Sequence, residues 1–228
     1  MRSKFIMFMR SKRGNTMLEK NRFIGFSLLA GLVLCGTPYS EAREQGGTLT
    51  VPIITQTFVS DFNPYSGSQV DMVSGTMYEP LWVLNTLTGK IDWRLASGFD
   101  YSEDLNSITI SLKSGLTWSD GEVLDAADLV YSLNLGKVDP KLDVTGMWGD
   151  GKFASVERVD NLTVKINLAV KDGTVDWHLP RLFVVPEHIF SGVGDITTFK
   201  NEAPVGSGPI TQVTQVRDNQ IEICRNPN

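Results

Sequence analysis

The chain has 228 residues, of which 41% are hydrophobic and 21% charged, and its formal net charge is −5. This acidic balance excludes the electrostatic attraction to phosphate backbones that drives nucleic-acid binding, and it likewise gives no attraction to anionic lipid. The chain is long enough to bury a sizeable hydrophobic core. We therefore start from the expectation of a folded, acidic protein with no nucleic-acid partner.

The first predicted element is a secretory signal peptide over residues 1–42. Basic residues dominate 1–22, and an apolar run follows at 23–35. Thirteen residues are too few for a membrane-spanning helix, which needs about 20. Ser40 and Ala42 place small residues where a signal peptidase expects them. An uncleaved membrane anchor is the alternative interpretation.

Cleavage before Arg43 would change the properties of the chain. Residues 1–42 hold seven of the 21 basic and two of the 26 acidic residues, so the remainder carries a net charge of −10. Cys35 would be removed, and Cys224 alone cannot form an intramolecular disulfide. Met17 is an alternative start, because the signal is complete from there.

Four short segments predict half-buried β-strands, because apolar residues alternate with polar ones at period two. They lie at residues 49–53, 107–113, 162–168 and 220–224.

One helix is predicted to begin after Asp125. Asp125 can cap it, and the Asp128 side chain lies near the positive helix end. Leu124 and Leu129 occupy the two positions of a hydrophobic staple. Gly136 is the predicted stop.

A second, weaker helix is predicted over about residues 71–78, before Pro80. Strands outnumber helices and the order is mixed, which indicates an α/β or α+β fold.

Catalytic patterns are weak in this sequence. The two histidines, His178 and His188, lack the spacing of a zinc site. Ser207 lies between two glycines, but Pro209 follows where a nucleophile elbow would begin its helix. The sequence therefore predicts no catalytic residue, no metal site and no cofactor.

Residues 118–133 carry the most specific motif. The sequence W-S-D-G-E at 118–122, followed by a capped helix at 124–133, resembles the corresponding segment of the family 5 extracellular solute-binding proteins. Further segments agree in the same order along the chain: D-F-N-P-Y at 61–65, Y-E-P-L at 78–81, P-V-G-S-G-P at 204–209 and C-R-N-P-N at 224–228.

The resemblance implies a two-lobe fold of the type II periplasmic-binding-protein class, in the α/β group. Family members are about twice as long, so residues 43–228 are expected to form an incomplete N-terminal lobe. The implied function is solute capture in the periplasm, by a monomer that delivers its ligand to the inner-membrane permease subunits of an ABC importer. Within the family, the sequence is most similar to chitin-oligosaccharide-binding proteins, through residues 62–65, 118–122, 155–160, 201–209 and 224–228.

The resemblance and the aromatic content together suggest ligand contacts. Aromatic rings can stack on a sugar or pack on a peptide, and an amide can hydrogen-bond a hydroxyl group. The candidate ligand-binding residues are Phe62, Asn63, Tyr65, Tyr78, Glu79 and Trp148. Trp118, beside a predicted strand, is expected in the core. Gly206 and Gly208 are expected to supply backbone freedom rather than to touch ligand.

Three alternatives stay open at this point. The ligand can be a peptide instead of an oligosaccharide, since the family includes both. The chain can be a truncated product without a function of its own. A secreted hydrolase is the third alternative, although it would need a nucleophile–base pair or a metal cluster.

Overall fold

The computed structural model describes residues 3–9, 47–53, 58–69 and 75–228. Residues 1–2 and 10–42 of the predicted signal peptide lie outside the described residues, as do residues 71–74 of the predicted second helix. The described chain combines short helices with mainly antiparallel strands.

The first two strands form an antiparallel ribbon. Strand β1 (Ser3–Met9) pairs with β2 (Gly47–Ile53), with Met7 opposite Leu49. Strand β2 confirms the predicted strand at 49–53. Strand β1 falls within residues 1–42, which were assigned to the signal peptide. The removal of this segment by cleavage after Ala42 stays a prediction.

The largest sheet among the described residues is a four-stranded antiparallel sheet in the order β5-β6-β8-β7. Its strands are β5 (Ala96–Tyr101), β6 (Ser107–Leu112), β7 (Phe153–Arg158) and β8 (Thr163–Leu168).

The register of β6 against β8 explains why one face of this sheet is apolar. Ile108 lies opposite Ile166 and Ile110 lies opposite Val164, and all four side chains are buried. Successive side chains of a strand point to opposite faces, so the period-two spacing in the sequence places these residues on the core side. The two central strands were predicted from that spacing, and the prediction is confirmed.

Two hairpins and several short turns complete the described fold. Strands β3 (Trp82–Asn85) and β4 (Lys90–Trp93) form one hairpin, and β9 (Ile210–Arg217) and β10 (Gln220–Arg225) form the other. Single turns of 3-10 helix cover Pro140–Leu142, Val175–Trp177 and Leu179–Arg181. Residues 75–77 are helical, which agrees with the described end of the predicted second helix.

Helix α1 (Ala126–Val138) begins as predicted. The Asp125 side chain accepts a hydrogen bond from the Ala127 N–H at 2.7 Å, and the Asp128 side chain accepts one from the Asp125 N–H at 3.1 Å. This reciprocal pair is a capping box. A second, single-turn helix, α2 (Glu187–Phe190), packs against α1.

The predicted end of α1 at Gly136 is wrong, because the helix continues to Val138. Gly136 is buried, and a β-carbon there would lie 2.7 Å from the Asp143 β-carbon and 3.0 Å from the Trp148 ring. Glycine is thus required at this position for close packing. Asp139 caps the helix instead, with its N–H donating to the Leu135 carbonyl, and Pro140 follows.

No helix within the described ranges is long and apolar enough to cross a membrane.

Trp118 is fully buried, as predicted. Its indole Nε1 donates to Asp128 Oδ2 at 3.2 Å, and its backbone N–H donates to the Glu122 carbonyl at 2.8 Å. Gly121, with φ of 97°, makes the tight turn between them. The side chain therefore joins the 118–122 turn to the start of α1.

We expect Trp118→Ala to lower the free energy of unfolding by about 3–5 kcal/mol, because it removes a buried aromatic ring and leaves a cavity. Trp118→Phe keeps most of the ring but removes the indole donor to Asp128, so a smaller loss of about 1–3 kcal/mol is expected. Denaturant unfolding measures both. A midpoint that Trp118→Ala leaves unchanged would contradict the core position of this residue.

Candidate functional site

The segments that carry the sequence motifs converge at one place in the fold. Residues 206–209 lie directly against residues 76–79: the Gly208 N–H donates to the Met77 carbonyl at 2.7 Å, and the Glu79 N–H donates to Ser207 Oγ at 3.0 Å. Two motifs separated by more than a hundred residues of sequence are thus joined by hydrogen bonds.

The two glycines of this segment allow the close approach. A β-carbon on Gly208 would overlap the Thr76 carbonyl oxygen, and one on Gly206 would overlap the Met77 carbonyl oxygen. Neither glycine has a positive φ. The expectation that they supply backbone freedom is therefore wrong: they are needed because two backbones touch.

The W-S-D-G turn joins the same place. The Ser119 N–H donates to the Gly206 carbonyl at 3.0 Å, and the Gly206 N–H donates to Ser119 Oγ at 3.2 Å. Asn228 Nδ2 donates to the carbonyls of Trp118 and Ser119 at 3.2 and 3.1 Å. Asn226 Nδ2 donates to the Gly208 carbonyl at 2.9 Å.

We call this assembly the motif junction, defined by residues 76–79, 118–121, 206–209 and 226–228. Most of its hydrogen bonds use backbone groups, and its side-chain donors are asparagines. The motif junction therefore fixes how four chain segments leave one point of the lobe.

The F-N-P-Y segment is anchored beside the junction. Asn63 Nδ2 donates to the carbonyls of Ile196 and Phe199 at 2.6 and 2.7 Å, and its Oδ1 accepts from the Tyr65 N–H at 3.0 Å. The Tyr65 hydroxyl donates to the Phe183 carbonyl at 2.7 Å. These bonds tie the F-N-P-Y segment to residues 183–199.

Tyr78 makes a comparable contact. Its hydroxyl accepts a hydrogen bond from Asn201 Nδ2 at 2.7 Å, and both side chains are buried. Asn201 has φ of 48°, in the left-handed region that asparagine tolerates. Burial raises the pKa of the Tyr78 and Tyr65 hydroxyls above their usual range, so both remain protonated donors or acceptors at neutral pH.

Four of the six candidate ligand residues therefore lie in the core: Phe62, Asn63, Tyr65 and Tyr78 are all buried. Their polar groups already have partners within the protein. The structure brings them together around residues 183–201, where they hold that segment in place. Direct contact between these residues and a ligand stays a prediction.

Glu79 retains partial exposure. Its side chain is 30% exposed, and Arg94 Nη1 lies 4.0 Å from its Oε1. Because its backbone N–H is held in the motif junction, the carboxylate extends from a fixed point.

Trp148, the last of the six candidate ligand residues, is half-buried. Its indole Nε1 donates to the Leu133 carbonyl at 2.7 Å, its ring meets Phe153 edge-on at 5.4 Å, and Lys137 Nζ lies 5.3 Å from the ring centroid. Asp143 Oδ2 accepts from the Trp148 N–H at 3.0 Å. The tryptophan is thus fixed on α1 by several contacts.

Three residues join motif segments in the structure, although the sequence analysis gave them no role of their own. Ser119, Asn201 and Asn228 each bridge two motif segments through a side chain. Their proximity to the glycine-rich and W-S-D-G motifs was the available signal. Polar residues of these types are also common in ordinary turns, so residue type alone did not distinguish them.

Within the described ranges, no group of three or more His, Cys, Asp or Glu residues is arranged to hold a metal ion. His188 Nε2 lies 2.9 Å from Asp120 Oδ2, so it links α2 to the W-S-D-G turn.

Comparison with protein families gives a match over residues 90–228, to the family described as bacterial extracellular solute-binding proteins, family 5 Middle. A Brucella ovis protein, whose given name is that of an ABC transporter peptide-binding protein, is 27% identical over 218 residues, which is 92% of this chain and 41% of the relative. A dipeptide-binding protein of Lactococcus lactis is 30% identical over 131 residues, 54% of this chain and 22% of the relative.

Solved structures of periplasmic binding proteins are also similar to this chain. A Thermotoga maritima periplasmic oligopeptide-binding protein with bound mannohexaose is 28% identical with a TM-score of 0.69, over 76% of this chain and 32% of that protein. NikA from Brucella suis, in complex with Fe(III)-EDTA, is 26% identical with a TM-score of 0.61, over 76% and 35%. These neighbours are type II periplasmic-binding proteins, which confirms the predicted fold class.

The chain spans about two fifths of the length of the Brucella relative.

We expect Gly208→Ala to destabilise the protein by about 1–3 kcal/mol, because the new methyl group must displace the backbone of residues 76 and 77. Gly194→Ala is the matched control. A β-carbon there meets no atom within 4 Å and the residue is exposed, so a change of at most about 1 kcal/mol is expected. Denaturant unfolding of the two variants tests the close approach. Equal midpoints would contradict it.

Proposed function

Because the chain belongs to the family 5 bacterial extracellular solute-binding proteins, we propose that it is the solute-capturing component of an ABC importer in the periplasm. The observation that carries this proposal is the motif junction: the segments that resemble the family meet at one point and are joined there by hydrogen bonds.

The proposed mechanism is closure of two lobes around a solute. A ligand that contacts both lobes favours the closed arrangement over the open one, and the closed form then delivers the ligand to permease subunits in the inner membrane. The described residues would supply one wall of the cleft. The motif junction suits this role, because it is a rigid base from which chain segments leave the lobe.

The proposed ligand is an oligosaccharide of the chitin type. The resemblance of the motif segments to chitin-oligosaccharide-binding proteins supports it, and so does the mannohexaose bound to the Thermotoga neighbour. A peptide is the second candidate, supported by the names of the Brucella and Lactococcus relatives.

Of the six predicted ligand residues, Glu79 and Trp148 are the better placed. Both are partly exposed, whereas the other four are buried. The Glu79 carboxylate can accept hydrogen bonds from hydroxyl or amide groups. The exposed part of the Trp148 ring can pack on an apolar surface of a sugar or peptide.

The family and its structural neighbours are solute-binding proteins rather than enzymes. We therefore propose capture without turnover. A secreted hydrolase would shorten an oligosaccharide on incubation, and a binding protein would leave its length unchanged.

We expect the purified chain to bind chitotetraose with a dissociation constant of about 1 mM. A closed pocket hides about 70–90% of a ligand surface, and one wall hides roughly half of that. If a micromolar binder at about −8 kcal/mol loses half of its contact free energy, about −4 kcal/mol remains, which is millimolar. Titration calorimetry with chitotetraose, mannohexaose and a neutral tetrapeptide measures the ligand class.

Three outcomes discriminate between the proposals. Heat with either sugar but not with the tetrapeptide supports the oligosaccharide. Heat with the tetrapeptide alone supports the peptide. Failure of all three ligands at several millimolar, or sugar shortened after overnight incubation, overturns capture by this chain. The variant Trp148→Phe is titrated beside the wild type to test the cleft surface. It keeps an aromatic ring but loses the indole donor to the Leu133 carbonyl.

We expect export, with cleavage after Ala42 and a mature protein that begins at Arg43. The basic and apolar order of residues 17–42 motivates this prediction. Mass spectrometry of the periplasmic fraction measures the mature start. Leu29→Arg interrupts the apolar run and should keep the chain in the cytoplasm. A wild-type chain found in the cytoplasm with Met17 retained would contradict export.

A further inference from the structure

A small pocket lies between the β3–β4 hairpin and the 3-10 turns at 175–181. Its volume is about 290 Å³. We call it the hairpin pocket, defined by its lining residues Pro80, Trp82, Val83, Leu84, Ile91, Asp176, Trp177 and Pro180. None of the six candidate ligand residues lines it.

The floor and hairpin wall of the pocket are rigid. Trp82 is buried, with its ring centroid 5.0 Å from that of Phe99 and 5.7 Å from that of Trp93. Trp82 and Trp93 are also direct cross-strand partners in the hairpin. The apolar side of the pocket is therefore supported by a packed aromatic cluster.

The opposite wall is equally well fixed. Val175 and Leu179 are fully buried and hold the two turns in place. The Tyr101 hydroxyl donates to Asp176 Oδ1 at 2.8 Å and accepts from the Asp176 backbone N–H at 3.0 Å. These two hydrogen bonds fix the position of the Asp176 carboxyl group, and no ligand is needed for this.

Two groups that line the hairpin pocket are available to bind a ligand, the Asp176 carboxylate and the Trp177 indole. Asp176 Oδ2 has no hydrogen-bond partner among the described residues. Trp177 is 63% exposed, although a side chain of its size is normally covered. No basic residue lines the pocket. A carboxylate beside an exposed indole, with otherwise apolar walls, is complementary to an organic cation.

A sugar fits these features less well. Sugar hydroxyls need several polar partners, and Asp176 is the only charged side chain among the lining residues. An ammonium group can pair with the carboxylate and contact the aromatic ring while water remains on its other N–H groups, and its alkyl chain can lie on Pro80, Val83 and Ile91.

We propose that the hairpin pocket binds a primary ammonium group carried on a short apolar chain, either a small aliphatic amine or a lysine side chain. Asp176 pairs with the ammonium, Trp177 contacts it, and the hairpin covers the alkyl chain. None of the lining residues is one of the six predicted ligand residues of the solute cleft, and occupancy of the pocket does not depend on the importer function.

The test uses the full chain and n-butylamine, with n-butanol as the neutral probe of similar shape. Indole N–H signals in NMR spectra report binding, and Trp177→Phe identifies the Trp177 signal. We expect a saturable shift of that signal with butylamine at millimolar concentration and a response at least about tenfold weaker with butanol.

Two variants locate the contact. Asp176→Asn keeps an oxygen for the Tyr101 hydroxyl but removes the charge, and it should weaken butylamine binding about tenfold. Trp177→Leu keeps an apolar side chain but removes the reporting indole, so its binding is followed at the indole of Trp82, which also lines the pocket. This variant should weaken binding about two- to fivefold. Asp150→Asn, at an exposed acid elsewhere, should change nothing. Circular dichroism checks folding; if Asp176→Asn does not fold, Trp177→Leu and the butanol comparison decide.

The outcomes are distinct. Equal binding of butanol and butylamine, or full binding by a folded Asp176→Asn, overturns the proposal. If Nα-acetyl-lysine N-methylamide binds as well as butylamine, the natural ligand is a lysine side chain. If butylamine binds and the capped lysine does not, the ligand is a small free amine.

Discussion

The carboxyl group of Asp128 joins three parts of the described fold. It is 5% exposed, and its oxygens accept hydrogen bonds from the Trp118 indole, the Asp125 backbone and the Glu187 backbone. A buried carboxyl group is costly unless such donors surround it. Its position at the first turn of α1 adds the favourable field of the helix end. The W-S-D-G turn, α1 and α2 are therefore positioned by the requirements of one side chain.

The motif junction is built on this arrangement. Once Asp128 and Trp118 fix the W-S-D-G turn, Ser119 can exchange hydrogen bonds with Gly206, and Asn228 can reach the carbonyl groups of the turn. Many of the residues that make the sequence motifs recognisable therefore serve to hold the fold together. A glycine, serine or asparagine in these motifs is needed to let two segments of backbone meet, and contact with a solute is a separate question.

The sequence predicted those elements whose burial pattern is regular. Strands β6 and β8 alternate cleanly, and α1 has a complete cap. Strands β3, β5, β7 and β9 were missed, because each buries few residues or includes Gly and Asp, so the alternation is lost. Strand β4 was also missed, because it has only four residues and none of them is buried. The candidate site was harder still. Asn63 could bond a ligand or a backbone carbonyl equally well, and only tertiary structure shows that Ile196 and Phe199 occupy its amide group.

The hydrogen bond between Gly208 and Met77 has a consequence for folding order. It brings together two residues with 130 others between them, so the segment that includes the four-stranded sheet and α1 behaves as an insertion with adjacent ends. Closing a loop of this length costs about 4 kcal/mol of chain entropy. The insertion can collapse around its own sheet first, and this shortens the effective loop. Because its ends lie side by side, the same unit is suited to circular permutation or to transfer onto another scaffold.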